Sequence, residues 1–161
     1  MPLVIDTLRT STITEELTDT ELQAIAKLFN VEDYKAGEVI VQPGDKNSDN
    51  LHILAQGEIQ VMIQGGDGES AIHVLEPCDL AGVITFVGGS PSQHSATLIA
   101  KGDAKVLSLP RVKFETLVCS HPIVGYKVMR GIVRNVHGIV RNMNAKSAEL
   151  SNHIYRSGGG Y

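Results

Sequence analysis

The sequence predicts a mainly β fold with flanking helices: a double-stranded β-helix (jelly-roll-like β-roll), a short N-terminal helix and a long C-terminal dimerisation helix. Three observations carry that expectation. From Tyr34 to Leu109, brief β-branched runs alternate with Gly, Pro, Asn and Asp, the texture of many short antiparallel strands. Ahead of them, Thr18-Asp19-Thr20-Glu21 has the pattern of a capping box. Behind them, Met129, Val133, Val136, Val140, Met143, Leu150 and Ile154 recur in steps of four and three, with Ser147 in the one polar slot, the spacing of a coiled-coil seam.

In chain order, Met1 to Thr10 lacks both a basic flank and a long apolar core, so it is read as neither a signal peptide nor a membrane span. After the capping box, Leu22, Ile25, Ala26 and Phe29 fall at helical spacing and predict an amphipathic helix ending near Phe29. Strands are expected over Tyr34–Val41, Leu51–Leu54, Glu58–Gln64, Ser70–Leu75, Ser95–Ala100 and Lys105–Leu109. Pro43-Gly44-Asp45 is a turn because Pro presets φ and Gly takes positive φ freely; Gly65-Gly66-Asp67-Gly68 is a hairpin tip for the same reason. A jelly roll removes the exposed edges that so many strands would otherwise present.

Pro110 stops the last strand, Arg111 to Cys119 can form a short helix, and His121-Pro122 opens a much longer one. Within it, Gly131-Ile132-Val133-Arg134-Asn135-Val136-His137 repeats nearly letter for letter as Gly138-Ile139-Val140-Arg141-Asn142-Met143-Asn144. Each Gly costs about 1 kcal/mol relative to Ala inside a helix, so the pair predicts close approach of another backbone, read here as the partner helix of a parallel two-fold dimer. The competing expectation is that the helix packs on its own β-roll. The domain plan is a roll with its N-terminal helix over residues 1–120, a long helix over 121–156 and a flexible tail over 157–161.

At 161 residues the chain has room for one domain and an appendage. Its 42% hydrophobic and 20% charged residues exclude disordered and collagen-like classes. Residues 1–110 hold six Lys/Arg against sixteen Asp/Glu, and 111–161 hold eight against two. A basic helix facing the acidic body of its own protein explains this asymmetry better than nucleic-acid binding does. Cys78 and Cys119 have no partner at zinc-ligand spacing, so both are expected to be buried free thiols of a cytoplasmic protein.

The order of parts resembles the cyclic-nucleotide-binding domain family, which includes the bacterial catabolite-activator regulators and the regulatory subunits of cyclic-nucleotide-dependent kinases. The residues that carry the resemblance run from Ala36 to Asp45, from Leu51 to Val61, from Leu80 to Val83, through Ser90-Pro91 and Ser95-Ala96-Thr97-Leu98, and from Val106 to Leu109 before Phe114. The match covers roughly Leu22 to Arg141. It implies a phosphate-binding cassette between the sixth and seventh strands, where a short helix's first amides meet an anion. Gly82, Val83, His94, Ser95 and Ala96 take the cassette positions.

Two of these depart from the family pattern. Its usual Gly-Glu, whose carboxylate accepts a ribose hydroxyl, is here Gly82-Val83, and its phosphate-pairing Arg is here His94. Losing two charged hydrogen-bond partners costs roughly two to four decades in affinity. His94 restores a donor, and a positive charge below about pH 6.5. The family's DNA-binding members also continue into a winged helix-turn-helix after the long helix, whereas this sequence stops at Ser157-Gly158-Gly159-Gly160-Tyr161. No direct DNA binding is therefore expected, and Arg134 and Arg141 are assigned to interhelical contacts or to acidic β-roll surface.

The expected function is a non-enzymatic regulatory or sensor module, homodimeric, with a degenerate cassette and weak or absent cyclic-nucleotide binding. It has no cofactor, metal or membrane partner, and a protein partner is left open. The alternative is a genuine cyclic AMP or cyclic GMP sensor signalling through the C-terminal helix to a partner protein, with Asn135 or Asn142 reaching the base. A third reading, a metal-dependent cupin-type enzyme, is raised by His52, His73 and His94, but the sequence has no His-x-His pair.

Overall fold

In the computed structural model, which describes residues 1–45, 49–65, 68–89 and 96–158, the capping box forms as expected. The Thr18 hydroxyl accepts from the Glu21 amide, and the Glu21 carboxylate accepts from the Thr18 amide, both at 3.3 Å. This starts helix α2 at Asp19–Ala26. Ahead of it lie α1 (Pro2–Thr10) and a single 3-10 turn (Thr12–Thr14), neither of which the sequence predicts. Val4, Thr7 and Leu8 at helical spacing bury the inner face of α1.

Among the described residues eight strands follow: β1 (Asn30–Tyr34), β2 (Val39–Val41), β3 (Leu51–Gln56), β4 (Ile59–Gly65), β5 (Gly68–Leu75), β6 (Leu80–Ala81), β7 (Thr97–Ala100) and β8 (Ala104–Leu109). They form two four-stranded sheets of order β1-β8-β3-β6 and β2-β7-β4-β5, every pairing antiparallel. The expected single strand Tyr34–Val41 is in fact two strands in different sheets. Glu38 accepts from the Lys35 amide and returns its own amide to the Lys35 carbonyl, both at 3.0 Å, and this turn carries the chain from the first sheet to the second. The β4–β5 hairpin closes on the pair Gly65↔Gly68, and its tip residues Gly66 and Asp67 lie outside the described residues.

Strand alternation creates two cores. Leu51 and Ile53 of β3, with Leu107 and Leu109 of β8, face the helices and pack with Leu8, Ile25, Phe114, Val124 and Val128. Leu54 and Val106, on the opposite face, pack between the sheets with Ile40, Ile59, Leu98 and Ala100. The first sheet is thus covered on both sides, as its run of buried positions requires.

After Pro110 come α4 (Arg111–Ser120) and α5 (Pro122–Gly158), the latter about 55 Å long. Its buried face is Val124, Val128 and Ile132, which pack on its own chain's helical layer. A Cβ on Gly131 would stand 2.5 Å from Ile13 Cα and 2.7 Å from the Thr12 carbonyl oxygen. The backbone that Gly131 admits is therefore this chain's own 3-10 turn, not a partner helix. Gly138 has nothing within 4 Å.

Met129 is partly buried against the helical core, but Val133 (66%), Val136 (41%), Val140 (45%) and Leu150 (64%) are exposed. Val133, Val136 and Val140 form a stripe beside the face that packs. The side chains of Met143 and Ile154 lie outside the description.

The basic helix does face acidic groups, but on the N-terminal segment and not on the roll. Lys127 pairs with Glu21 at 2.7 Å, Arg130 with Glu16 at 3.1 Å, and Arg134 with Glu15 at 2.7 Å and Glu16 at 3.0 Å. Arg141 is exposed. Cys78 is half-buried and Cys119 exposed, against the expectation that both are buried, because Cys119 lies on the side of α4 turned from the core. Among the described residues no helix is long and apolar enough to cross a membrane.

Candidate functional site

Strand β6 places the cassette. Its two residues pair with β3 as Ala81↔His52 and Leu80↔Ile53, and the chain then turns at Gly82 into the four-residue helix α3 (Val83–Phe86). Gly82 is required twice over. It adopts φ +79°, and a Cβ there would stand 2.6 Å from the Asn50 carbonyl oxygen. Its own carbonyl accepts from the Phe86 amide at 3.1 Å, which fixes the first turn.

Val83 begins α3 with its side chain partly buried against the helix-facing core. Phe86 is fully buried and packs on Phe114 of α4 with ring centroids 5.2 Å apart. Ile84 and Val87 are exposed. A groove of about 210 Å³ runs between α3, α4 and α5, lined by Phe86, Val87, Phe114, Val118, Gly125 and Met129.

Ala96 is half-buried and leads into β7, in the sheet opposite β6. The cassette therefore begins on one sheet and ends on the other. His94 and Ser95 lie outside the described residues. On α5, Asn135 is half-buried with its Oδ1 enclosed and without a hydrogen-bond partner among the described residues, while Asn142 is exposed.

Of the two described histidines in the cupin reading, His52 is buried on β3 and His73 is exposed on β5, so they are not brought to a common centre. No group of three metal-ligating side chains occurs among the described residues.

In the sequence His52 is one of several scattered histidines. It is instead the centre of a polar patch inside the roll. It shares a face of β3 with Leu54, sits opposite Ser108 of β8, and neighbours Asn50, whose amide donates to the Ser108 hydroxyl at 3.0 Å. Burial pushes the His52 imidazole below its ordinary value, with Glu32 opposing the shift. A larger hollow of about 330 Å³ at the β1–β2 turn is lined by Asp33, Lys35, Glu38 and Lys105, but its Lys105 is already neutralised by Asp33 at 2.6 Å.

The roll, the glycine-capped α3 and the long terminal helix have a counterpart among known families. The family model described as "Cyclic nucleotide-binding domain" matches residues 31–121. The chain belongs to that family.

Cyclic nucleotide-binding domains of known proteins place the module in different settings. The chain is 22% identical over 116 residues to the HTH-type transcriptional regulator Cmr of Mycobacterium tuberculosis, covering 72% of this chain and 46% of the regulator. It is 28% identical over 116 residues to the lysophospholipase nte1 of Aspergillus terreus, covering 71% of this chain and 7% of that protein. The chain thus spans under half the length of these curated relatives. A crystal structure of a cyclic nucleotide-binding domain from Methylobacillus flagellatus KT shares the fold, with TM-score 0.77 and 16% identity over 90% of this chain and 80% of that one.

Proposed function

We propose that this cyclic nucleotide-binding domain is a non-enzymatic regulatory or sensor module, cytoplasmic and homodimeric through α5, whose cassette holds cyclic nucleotides weakly or not at all. Val83 carries the reading. In the family pattern a carboxylate at this position accepts a ribose hydroxyl; here an aliphatic side chain packs against the helical core instead. The polar interaction is lost, and a charged hydrogen bond is worth about 1.5–3 kcal/mol.

The regulatory role is supported by the company the module keeps, since its relatives join it to effectors as different as a transcriptional regulator and a lysophospholipase. A physical route from cassette to output exists. Phe86 of α3 packs on Phe114 of α4, and α4 crosses α5 so closely that a Cβ on Gly125 would meet Val118 Cγ2 at 2.7 Å. A ligand that prefers one position of α3 would bias the α4–α5 arrangement by its difference in affinity for the two states. Dimerisation is supported by the exposed apolar stripe Val133, Val136 and Val140.

Titration calorimetry of folded, ligand-stripped protein with cyclic AMP and cyclic GMP at pH 6 and pH 8 tests the proposal. No heat at millimolar ligand is expected. Micromolar binding would establish the alternative, a working nucleotide sensor, and weakening at pH 8 would assign the replacement charge to a histidine.

A further inference from the structure

His52 is a basic side chain that the roll buries and does not secure. It is 4% exposed on the between-sheet face of β3, and neither ring nitrogen has a hydrogen-bond partner among the described residues. A neutral imidazole tolerates that position at modest cost. An imidazolium does not, because it brings a charge and two N–H donors to a site where neither nitrogen is bonded.

The groups that face the ring come from each element packed around it. Ser108 lies opposite on β8 and Ala81 on β6. Asn50, just ahead of β3, has its side-chain amide engaged by the Ser108 hydroxyl, and the opposite sheet brings Ile40, Ile59, Leu98 and Ala100 to the same core. The charged group that acts on the ring is Glu32 of β1, which draws it towards the protonated form. That carboxylate already accepts from the Tyr34 hydroxyl at 2.6 Å. Burial outweighs its pull and holds the imidazole below its ordinary value of 6.5.

The two flanks of β3 differ in strength. On one side β8 pairs with it from Leu51 to Gln56. On the other, β6 is a two-residue edge strand that meets β3 at His52↔Ala81 and Ile53↔Leu80. Two further bonds back it, from the Leu54 amide to the Asp79 carbonyl at 3.1 Å and from the Cys78 amide to the Leu54 carbonyl at 2.7 Å. The chain then turns at exposed Gly82, where a Cβ would lie 3.6 Å from His52 Cδ2. Water therefore reaches the ring most readily past β6 and the Gly82 turn, the flank with the fewest bonds to break.

We propose that His52 is an acid-operated catch: when its imidazole takes up a proton, β6 and the Gly82 turn part from β3, water reaches the ring, and α3 loses its fixed start. The stimulus is then the proton itself, whether or not the cassette holds a nucleotide. The closed form binds that proton less readily than the open form, in which the solvated ring regains its ordinary value of 6.5. Opening is therefore suppressed at neutral pH and above, and grows by up to about tenfold per pH unit as the pH falls below that value.

The test is native-state hydrogen exchange of the whole chain, followed amide by amide by NMR at about pH 7.5 and about pH 5.5 and corrected for the intrinsic exchange rate. Protection of the Leu54, Cys78 and Phe86 amides should fall about tenfold in wild type, while the amides of β8 keep theirs. His52→Leu, which removes both nitrogens and fills the space with an apolar group, should hold protection level over the same range, and so should His52→Gln. In wild type the His52 ring resonance should titrate below 6.5.

Level protection of those three amides in wild type, or a His52 ring that titrates at its ordinary value or higher, overturns the inference even where neither variant folds. A fall that persists in a folded variant assigns the response to another group and overturns it as well. A fall shared equally by the β8 amides does the same, because it reports unfolding of the whole roll and not the release of one strand.

Discussion

Lys127 Nζ lies 2.7 Å from Glu21 Oε1, across 106 residues of sequence, and the same Glu21 carboxylate closes the capping box of α2. One side chain thus starts one helix and fastens another. Glu21→Gln should destabilise the fold by about 1–2 kcal/mol, the combined scale of a weakened cap and a lost, largely buried ion pair. Urea denaturation measures it. A double-mutant cycle with Lys127→Met should show coupling; purely additive losses would mean that the pair contributes nothing beyond the cap.

Acid should loosen the same junction. The Lys127 bond is the main cause holding Glu21 below its ordinary value of 4.5. For Glu16, desolvation pushes upward, but Arg134 and Arg130 together outweigh it. Depressed carboxylates contribute stability that is complete above their ordinary value and is lost as the pH falls through the folded value. Thermal midpoints recorded by circular dichroism should therefore decline below about pH 4.5, and less steeply in Glu21→Gln.

The two repeat glycines should answer the same substitution in opposite ways. Gly131→Ala forces a Cβ onto Ile13 and Thr12 and should cost about 2 kcal/mol or more. Gly138→Ala meets open space within the protomer and should gain up to about 1 kcal/mol of helix propensity. Both are best compared in a monomeric background, by chemical denaturation.

That background is itself a prediction. Val136→Asp with Val140→Asp places two charges on the exposed stripe of α5, so light scattering should find a dimeric wild type and a folded, monomeric variant. A monomeric wild type would remove the quaternary proposal.

Gly82→Ala should cost about 2 kcal/mol or more, because φ +79° and the Asn50 carbonyl at 2.6 Å oppose a side chain together. A thermal midpoint equal to wild type would show that the β3–β6 junction relaxes freely.

What the sequence made legible was local. The Thr18–Glu21 box, the Pro43-Gly44-Asp45 turn, the stop at Pro110 and the start at Pro122 each depend on residues within a few positions of one another. Helix α1 is not legible in the sequence because Met1 offers no side-chain cap and its buried stripe is three residues long. The break between β1 and β2 is hidden in the sequence because the residues around Lys35–Glu38 suit a strand, and only the switch of sheet reveals the turn. On α5, Val124, Val128 and Ile132 keep the same helical period as the neighbouring stripe at Val133, Val136 and Val140. Periodicity cannot rank two stripes on one helix; contact with Ile13, more than a hundred residues earlier, decides which is buried. The surroundings of His52 are hidden for a related reason, since nothing near it in sequence foretells Ser108 beside it or Gly82 close to it.

The seat of Gly131 on the Thr12–Thr14 turn has a consequence for how the molecule is made. Synthesis delivers α1, the turn and α2 first and their cover last, with the whole roll emerging in between. Until residues near 131 have left the ribosome, Leu8, Ile13 and Ile25 have only part of their final surroundings, and Glu16 and Glu21 await their cations. Completion of the helical layer is therefore a late, long-range event with a large loop to close. Nascent chains arrested before α5 should stay sensitive to protease in their first thirty or so residues, and become resistant only once α5 is free to dock.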